Sequence, residues 1–363
     1  MAALRTQFPW LEPLGVCPQD PVFHAEGDVL THLGMVLDEL AVLTTFRELP
    51  EADRHILFAG TLLHDISKPE CTRTEENGRV RSPGHAVKGV YKARRILAED
   101  PAFTSDGTPF HIREQILSLV RWHGLPGNYL DKPDPERAVI LTSMTTRMDL
   151  LAILAEADHR GRVCRNDNDD TMTRIGLFPD YCREQECWDG PREFASDHSR
   201  FTYFRTPTAH HTLDLFDDTR CEVTILSGLP GSGKDTWVRD HAAGQTVVAL
   251  DDIRSELDID PGDNQSEVVA AAYDRAKVLL RRGESFVWNA TNVSRLLRGR
   301  VIDLATAYKA RVRIVYLEPP ISLIRARNAG RVKYVPQRVW DRIFGKLDLP
   351  NLTEAHAVEY RVG

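Results

Sequence analysis

Between residues 228 and 235 the chain reads Gly228-Leu-Pro-Gly231-Ser232-Gly233-Lys234-Asp235. This stretch follows the apolar run Val223-Thr-Ile-Leu-Ser227 and precedes a helical pattern. Glycines in that setting turn backbone N–H groups and a helix N-terminus toward a phosphate, and Lys234 adds charge. The loop is expected to bind a nucleoside triphosphate through Gly228, Gly231, Ser232, Gly233, Lys234, Asp235 and Thr236. One position departs from the usual pattern: Asp235 stands where a Ser or Thr hydroxyl ordinarily reaches Mg²⁺. Downstream, Leu250-Asp251-Asp252-Ile253-Arg254 sets a carboxylate at the end of a β-rich run and an arginine three residues on. That spacing suits a general base beside a phosphate anchor, and equally a helix-start charge with a surface salt bridge. A further run ends in Trp288-Asn289-Ala-Thr-Asn292, and the last is followed by Arg325-Ala-Arg327-Asn328-Ala-Gly-Arg331-Val-Lys333-Tyr-Val-Pro336. Four-residue spacing predicts that Arg327 and Arg331 share one helical face.

A second chemistry occupies the N-terminal half. His64-Asp65 ends the apolar stretch Phe58-Ala-Gly-Thr-Leu-Leu63, with Lys68 four residues after His64 and therefore expected on the same face. His32 precedes the pair, His85 and His123 follow it, and Asp158 with Arg162 is expected one turn apart in a later helix. Mixed imidazoles and carboxylates suit Mn²⁺, Fe²⁺, Co²⁺ or Ni²⁺ better than the all-oxygen cages of Ca²⁺ or Mg²⁺. One metal would take His32, His64, Asp65 and Asp158, and His85 with His123 would serve a second. Two such ions clamp a phosphate and lower the pKa of water into the nucleophilic range. A single histidine is more often a hydrogen-bonded helix residue than a ligand, so the weight falls on the ordered set. His24 and His159 read as structural.

These residues need two kinds of scaffold. Apolar positions at three- and four-residue spacing (Leu30, Leu33, Val36, Leu37, Leu40), then Ile56–Leu63, Ile112–Val120 and Asp149–Ala157, predict an all-α domain over residues 1–165. Short β-rich runs at Glu222–Ser227, Thr246–Leu250, Ser285–Trp288 and Arg311–Leu317 alternate with helical segments. They predict an α/β domain with a parallel sheet over residues 221–363. Residues 166–220 mix acids, turn formers and aromatics such as Phe178, Trp188 and Phe204, too apolar for a disordered tether, and read as an ordered connector packed on the domains.

Size agrees with two cores: 363 residues, 42% of them hydrophobic. The six cysteines form no C-x-x-C pair, which disfavours a structural zinc site or a disulfide framework. No run of about 18 apolar residues or signal-peptide core is present, so a cytoplasmic protein with no membrane partner is expected. The net charge of −7 at first opposes a nucleic-acid partner. Its distribution reverses that: residues 281–346 carry 15 Lys/Arg against four acids, whereas residues 166–220 carry 12 acids against six Arg. The basic stretch suits polyphosphate or nucleic acid, and also the lid arginines of a small-molecule kinase.

From about Glu222 to Gly363 the combination of phosphate loop, D-D-x-R, N-A-T-N and R-N-x-x-R followed by V-P resembles the 5′-hydroxyl polynucleotide kinases. The resemblance implies that Asp251 takes the proton of a 5′-hydroxyl and Arg254 holds the neighbouring phosphate. Lys234, Arg327 and Arg331 would neutralise the donor phosphates, with ATP or another NTP and Mg²⁺ as cofactors. The H…HD…H…H…D set resembles the HD phosphohydrolases. His24-Ala-Glu-Gly-Asp-Val-Leu-Thr-His32 and Glu156-Ala-Asp158-His-Arg160-Gly-Arg162 are similar to the HD module of bacterial CCA-adding enzymes. That resemblance implies His32, His64, Asp65, His85, His123 and Asp158 as metal ligands, and Lys68 and Arg162 on a scissile phosphate. In the kinase half Asn289 stands where the relatives often carry Asp before A-T-N, so Asp235 is expected to supply the carboxylate near Mg²⁺ in its place.

Together the halves resemble the bacterial HD-Pnk type of end-healing enzyme. The implied partners are RNA or DNA ends and an NTP, with a nucleic-acid ligase acting downstream on 5′-phosphate and 3′-hydroxyl products. A small-molecule kinase fused to an HD nucleotidase, and a nucleotide-sensing regulator, are the alternatives.

Overall fold

The computed structural model describes residues 1–363 except 101–102, 104–107, 167–168, 261 and 332–333. Val332 and Lys333 of the arginine-bearing motif, and Asp167 of the acidic stretch, lie outside the described residues. Two compact units result, Met1–Glu193 and Phe194–Gly363.

The first unit is helical, as its 3.6-residue periodicity requires. Asp28 starts the helix Val29–Val42 by accepting from the Thr31 amide at 2.8 Å, and Val29, Leu33, Val36 and Leu40 bury its inward stripe. The helices Glu51–Leu63, His85–Glu99, Phe110–Trp122 and Met148–Arg160 bring Leu57, Leu63, Ala93, Leu117, Val120, Leu150 and Leu154 to the same core. A two-stranded antiparallel hairpin, β1 (Arg73–Thr74) and β2 (Val80–Arg81), interrupts the helices.

The second unit is built on a five-stranded parallel sheet. Its strands are β3 (Cys221–Ser227), β4 (Thr246–Ala249), β5 (Phe286–Asn289), β6 (Ala310–Glu318) and β7 (Ala357–Val362), in the spatial order β4-β5-β3-β6-β7. Val223, Ile225, Leu226, Val287, Val312, Ile314 and Val315 are fully buried, because helices cover both faces of such a sheet. The chain leaves β3 for β4 on one side and returns to β6 on the other. The end of β3 is therefore the switch point at which open α/β sheets bind ligands. β7, which the sequence reading does not name, closes the edge beside β6. Residues 166–220 contribute the helix Thr171–Glu184 to the first unit and Asp197–Arg205 to the second.

Three helical spacings expected from sequence are corrected. Met148–Arg160 ends before Gly161, so Arg162 lies beyond the helix that carries Asp158. Ile321–Ala329 ends before Gly330, so Arg331 does not share a helix with Arg327. His64 is the C-cap of Glu51–Leu63, and Lys68 opens the separate turn Lys68–Cys71. In the first two a glycine stops the helix; in the third the chain turns over residues 64–67.

Candidate functional site

In the first unit every implied ligand sits at a helix end or faces the inside of the helical core. His32 lies on Val29–Val42, and His64 and Asp65 end Glu51–Leu63. His85 opens His85–Glu99, His123 caps Phe110–Trp122, and Asp158 is near the end of Met148–Arg160. Two compact trios form, His32/His64/Asp158 and Asp65/His85/His123, each with candidate donor atoms within 4.8 Å of one another. Asp65 joins them: its Oδ2 is 3.2 Å from His64 Nε2 and its Oδ1 is 3.4 Å from His85 Nε2.

The outer contacts fix which nitrogen faces inward. His64, His85 and His123 hold Nδ1 at 2.7, 2.8 and 2.9 Å from the carbonyl oxygens of Thr61, Ser82 and Val120, each three residues earlier. A carbonyl only accepts, so each Nδ1–H donates and each Nε2 points into the cluster, a bare lone pair once the ring is neutral. Burial opposes charge on His64, but Asp65 and Asp158 raise its imidazole, so its inner proton is what a metal ion would displace. Nε2 of His85 and Nε2 of His123 then face each other at 3.2 Å. Burial pushes the His123 imidazole down to about 4, reinforced by His64, so no proton bridges from that side near neutrality. His64 Nε2 and Asp65 Oδ1 are buried without a hydrogen-bond partner. Burial would raise the carboxyls, yet His32 and His64 hold Asp158 low, and Lys68 and His64 hold Asp65 well below the usual carboxylate range. Lone pairs and persistent negative charge converging in a buried site fit divalent transition metals. His32, His64, Asp65, His85, His123 and Asp158 are the residues that could hold them.

Two residues that the sequence reading does not single out support this set. Glu26 Oε1 lies 2.9 Å from both His24 Nδ1 and His32 Nδ1, while Glu26 Oε2 accepts from the Val163 amide at 2.9 Å. His32 Nε2 is 2.9 Å from Asp158 Oδ1, and these two carboxylates overcome burial to raise the imidazole to about 9. Gln19 accepts from Lys68 Nζ at 2.7 Å, and the same ammonium is 2.6 Å from Asp65 Oδ2. Arg162 pairs with Asp169. A cavity of about 270 Å³ reaches His123, Asp158 and Arg162.

In the second unit the loop 228–233 leaves β3 and enters the helix Lys234–His241. Gly231 and Gly233 adopt φ of 94° and 96°, open to glycine, and a Cβ on Gly231 would stand 2.5 Å from the Ile324 carbonyl oxygen. Lys234 Nζ donates to the carbonyls of Gly228 and Leu229 at 2.8 and 3.0 Å, curling over the loop where a phosphate would compete for it. Burial pushes this ammonium down to about 8, with Asp235 opposing and Arg331 assisting. Ser232 Oγ is buried without a partner. Asn289 Nδ2 donates to Asp235 Oδ1 at 2.8 Å, so the two unusual positions meet. Thr236 lies one residue on, in the first turn of the same helix.

Asp251 and Arg254 open and close one turn of Leu250–Glu256 and form an ion pair, while Arg331 Nη2 lies 3.8 Å from the other Asp251 oxygen. Arg327 Nη1 is 3.6 Å from where a Cβ on Gly233 would stand, against the loop itself. Asn328 clasps Val335 by two hydrogen bonds, and Trp340 Nε1 donates to the Pro230 carbonyl at 3.2 Å. The arginine-bearing turn is thereby tied to the phosphate loop.

Comparison with known proteins agrees with this division. The family model described as HD domain matches residues 28–152, and that described as AAA domain matches residues 223–350. The Multifunctional CCA protein of Halorhodospira halophila is 34% identical over 121 residues, which are 33% of this chain and 25% of that protein. The Multifunctional CCA protein of Thioalkalivibrio sulfidiphilus is 29% identical over 168 residues, 44% of this chain and 36% of that one. The chain thus spans between a quarter and about a third of the length of these curated relatives. A solved structure from Chloroflexus aurantiacus, provisionally called a kinase, is similar at 16% identity and TM-score 0.34, over 40% of this chain and 86% of that one. An HD domain and a P-loop kinase-like domain are fused in one chain. Among the described residues no single helix is long and apolar enough to cross a membrane.

Proposed function

We propose that this chain heals nucleic-acid ends: its second unit transfers the γ-phosphoryl group of an NTP to a 5′-hydroxyl, and its first unit removes a 3′-phosphate, 2′-phosphate or 2′,3′-cyclic phosphate. The observation that carries this reading is the pairing, in one chain, of a phosphate-cradling loop at a sheet switch point with a buried imidazole–carboxylate cluster. The two chemistries run in opposite directions on phosphate and make one task only if both act on the ends of the same polymer. Their products, 5′-phosphate and 3′-hydroxyl, are what a ligase joins.

In the kinase unit Asp251 accepts the hydroxyl proton as the new P–O bond forms, and Arg254 holds the adjoining phosphate. Their present ion pair implies exchange: an incoming phosphate takes Arg254, freeing Asp251 to act as base. Lys234, Arg327 and Arg331 offset the charge that develops on the transferring group, and Asp235 would hold Mg²⁺, with Thr236 beside it at the nucleotide. In the HD unit Lys68 and Arg162 orient the scissile phosphate. His32, His64, Asp65, His85, His123 and Asp158 would hold divalent ions, which would supply Lewis-acid neutralisation and a more acidic water.

An end-labelled oligonucleotide carrying a 5′-hydroxyl and a 3′-phosphate tests this, with ATP·Mg²⁺ and with Mn²⁺ or Ni²⁺. Wild type should convert both ends, Asp65→Ala should lose only 3′ dephosphorylation, and Lys234→Ala only 5′ phosphorylation. An oligonucleotide left unchanged while free nucleosides and nucleotides are turned over would replace this reading with a small-molecule kinase–nucleotidase.

A further inference from the structure

We propose that the cavity beside the imidazole–carboxylate cluster contains a neutral sugar subsite, formed by Asn128 and His159, that selects a ribose with a free hydroxyl next to its phosphate. This rests on the phosphohydrolase reading above and narrows its monoester substrates to ribonucleotide ends; a 2′,3′-cyclic phosphate offers the subsite a hydroxyl only after its ring has opened to a monoester. Three buried side-chain atoms without hydrogen-bond partners, Asn128 Oδ1, His159 Nδ1 and Arg162 Nε, belong to residues that line this one cavity. Buried polar atoms are normally satisfied, and an orphan keeps the full cost of losing water. Three orphans around one space, which His123 and Asp158 also line, mark the place of a ligand that supplies their partners.

The orphan atoms differ in what they can meet. Arg162, whose guanidinium also pairs with Asp169, brings positive charge to the cavity and suits a phosphate there. Asn128 Oδ1 can only accept, so an ionised phosphate oxygen repels it and a hydroxyl O–H satisfies it. His159 Nδ1 adds a second uncharged partner, while Ala155 and Ile175 supply an apolar wall. At about 30 Å³ per water, 270 Å³ holds roughly nine waters, room for one sugar phosphate. The chain couples this surface to the cluster: His159 follows Asp158 in Met148–Arg160, and Asn128 ends the turn Leu125–Asn128, just past His123. A ribose whose phosphate sits on the cluster and Arg162 can then present its vicinal hydroxyl to Asn128 and His159. A deoxyribose 3′-phosphate lacks that hydroxyl and leaves both atoms orphaned.

The test uses the full chain loaded with Mn²⁺ and a ribonucleoside 3′-monophosphate beside its 2′-deoxy counterpart, measuring Kd by calorimetry and KM and kcat by phosphate release. Wild type should favour the ribonucleotide by about three- to tenfold in Kd and KM, the worth of one or two neutral hydrogen bonds. Asn128→Ala and His159→Ala should each bring that ratio toward one, with Mn²⁺ content and thermal midpoint reporting that the fold persists. Asn128→Asp keeps the acceptor oxygen and should retain the preference. A wild-type ratio of one, or variants that weaken both ligands equally, overturns the subsite. Turnover without discrimination removes the subsite and leaves the phosphohydrolase; discrimination in binding without turnover of either ester removes the phosphohydrolase and leaves the subsite.

Discussion

Asp235 occupies the position from which a hydroxyl usually reaches Mg²⁺, and Asn289 occupies a strand end where a carboxylate would serve the same ion. Their hydrogen bond of 2.8 Å brings Asp235, in the first turn of the helix Lys234–His241, against Asn289 at the end of β5. We propose that Asp235 supplies from the helix the carboxylate that a strand-end Asp would supply. Removing the charge should cost more than removing its support. Asp235→Ala is expected to lower the kinase rate by about 10²-fold or more, and Asn289→Ala by about tenfold. Equal, mild losses in steady-state phosphorylation would sink the relocation. A second residue bears on stability. His356 accepts from the Val312 amide at 3.0 Å through Nδ1, and burial, helped by Arg311 and His198, pushes its pKa down to about 4. Its unfolded value is near 6.5, so between pH 6.5 and 4 the unfolded chain binds more protons and stability falls as pH falls. The loss approaches about 3 kcal/mol at the acid end of that window. His356→Asn keeps an acceptor in place of Nδ1 and removes the titration, so the thermal midpoint of the second unit should depend less on pH across this window.

Elements set how closely those residues meet, and the approach of Val29–Val42 to the end of Met148–Arg160 is the tightest such case in the first unit. A Cβ on Gly161 would stand 2.5 Å from both the nitrogen and the Cα of Val36. Backbone cannot swing aside as a side chain can, so Gly161→Ala must push the two helices apart and lengthen the 2.9 Å contact of His32 with Asp158. Overpacking of this kind costs about 1–3 kcal/mol. The variant should melt several degrees lower and retain less transition metal after gel filtration; an unchanged midpoint with full metal content would refute the account. Gly161 also shows where the sequence was legible and where it was not. The periodic helices and the strand–loop–helix around Lys234 were readable because period and glycine spacing are local. A spacing of four looks helical on either side of a glycine, so Arg162 and Arg331 read as helical from sequence, whereas a glycine ends the helix before each. Glu26 escaped because its role depends on residues 22–25 pairing with 163–165, through the Ala25 amide to the Val163 carbonyl at 2.8 Å and the Arg165 amide to the Val22 carbonyl at 2.7 Å. No periodicity announces such pairing. β7 has no such signal for a related reason, since half its positions are exposed at a sheet edge and none is fully buried.

At the scale of the whole molecule the question is how an acidic chain engages a polyanion. Counting charges over residues 281–346 suggests a broad basic surface, but the structure spends several of those charges internally. Arg298 is fully buried and makes a two-pronged pair with Glu354, and Arg311 meets Asp197 and Asp217. Arg313 pairs with Glu359, and Lys309 with Asp218. All these acids lie outside the basic segment, so the segment's excess of 15 bases over four acids does not become an equal excess of phosphate-binding charge. The arginines around Asp251 and the phosphate loop are Arg254, Arg327 and Arg331. On the proposed roles Arg254 meets the acceptor and the other two the donor, so an acceptor strand that touches them as well makes at most about three contacts. Binding of a single strand loses affinity with a log–log salt slope of about −0.7 per neutralised phosphate. An end binder with about three contacts should therefore show a slope near −2, whereas a surface using the whole local excess would approach about −8. Measuring KM for a 5′-hydroxyl oligonucleotide from about 50 to 200 mM salt decides between them. A slope near −2 that flattens by roughly one contact's share in Arg254→Ala fits recognition of the terminus alone. A slope several times steeper means that the strand runs far across the basic segment, and that ion pairs such as Arg311 with Asp197 open to receive it.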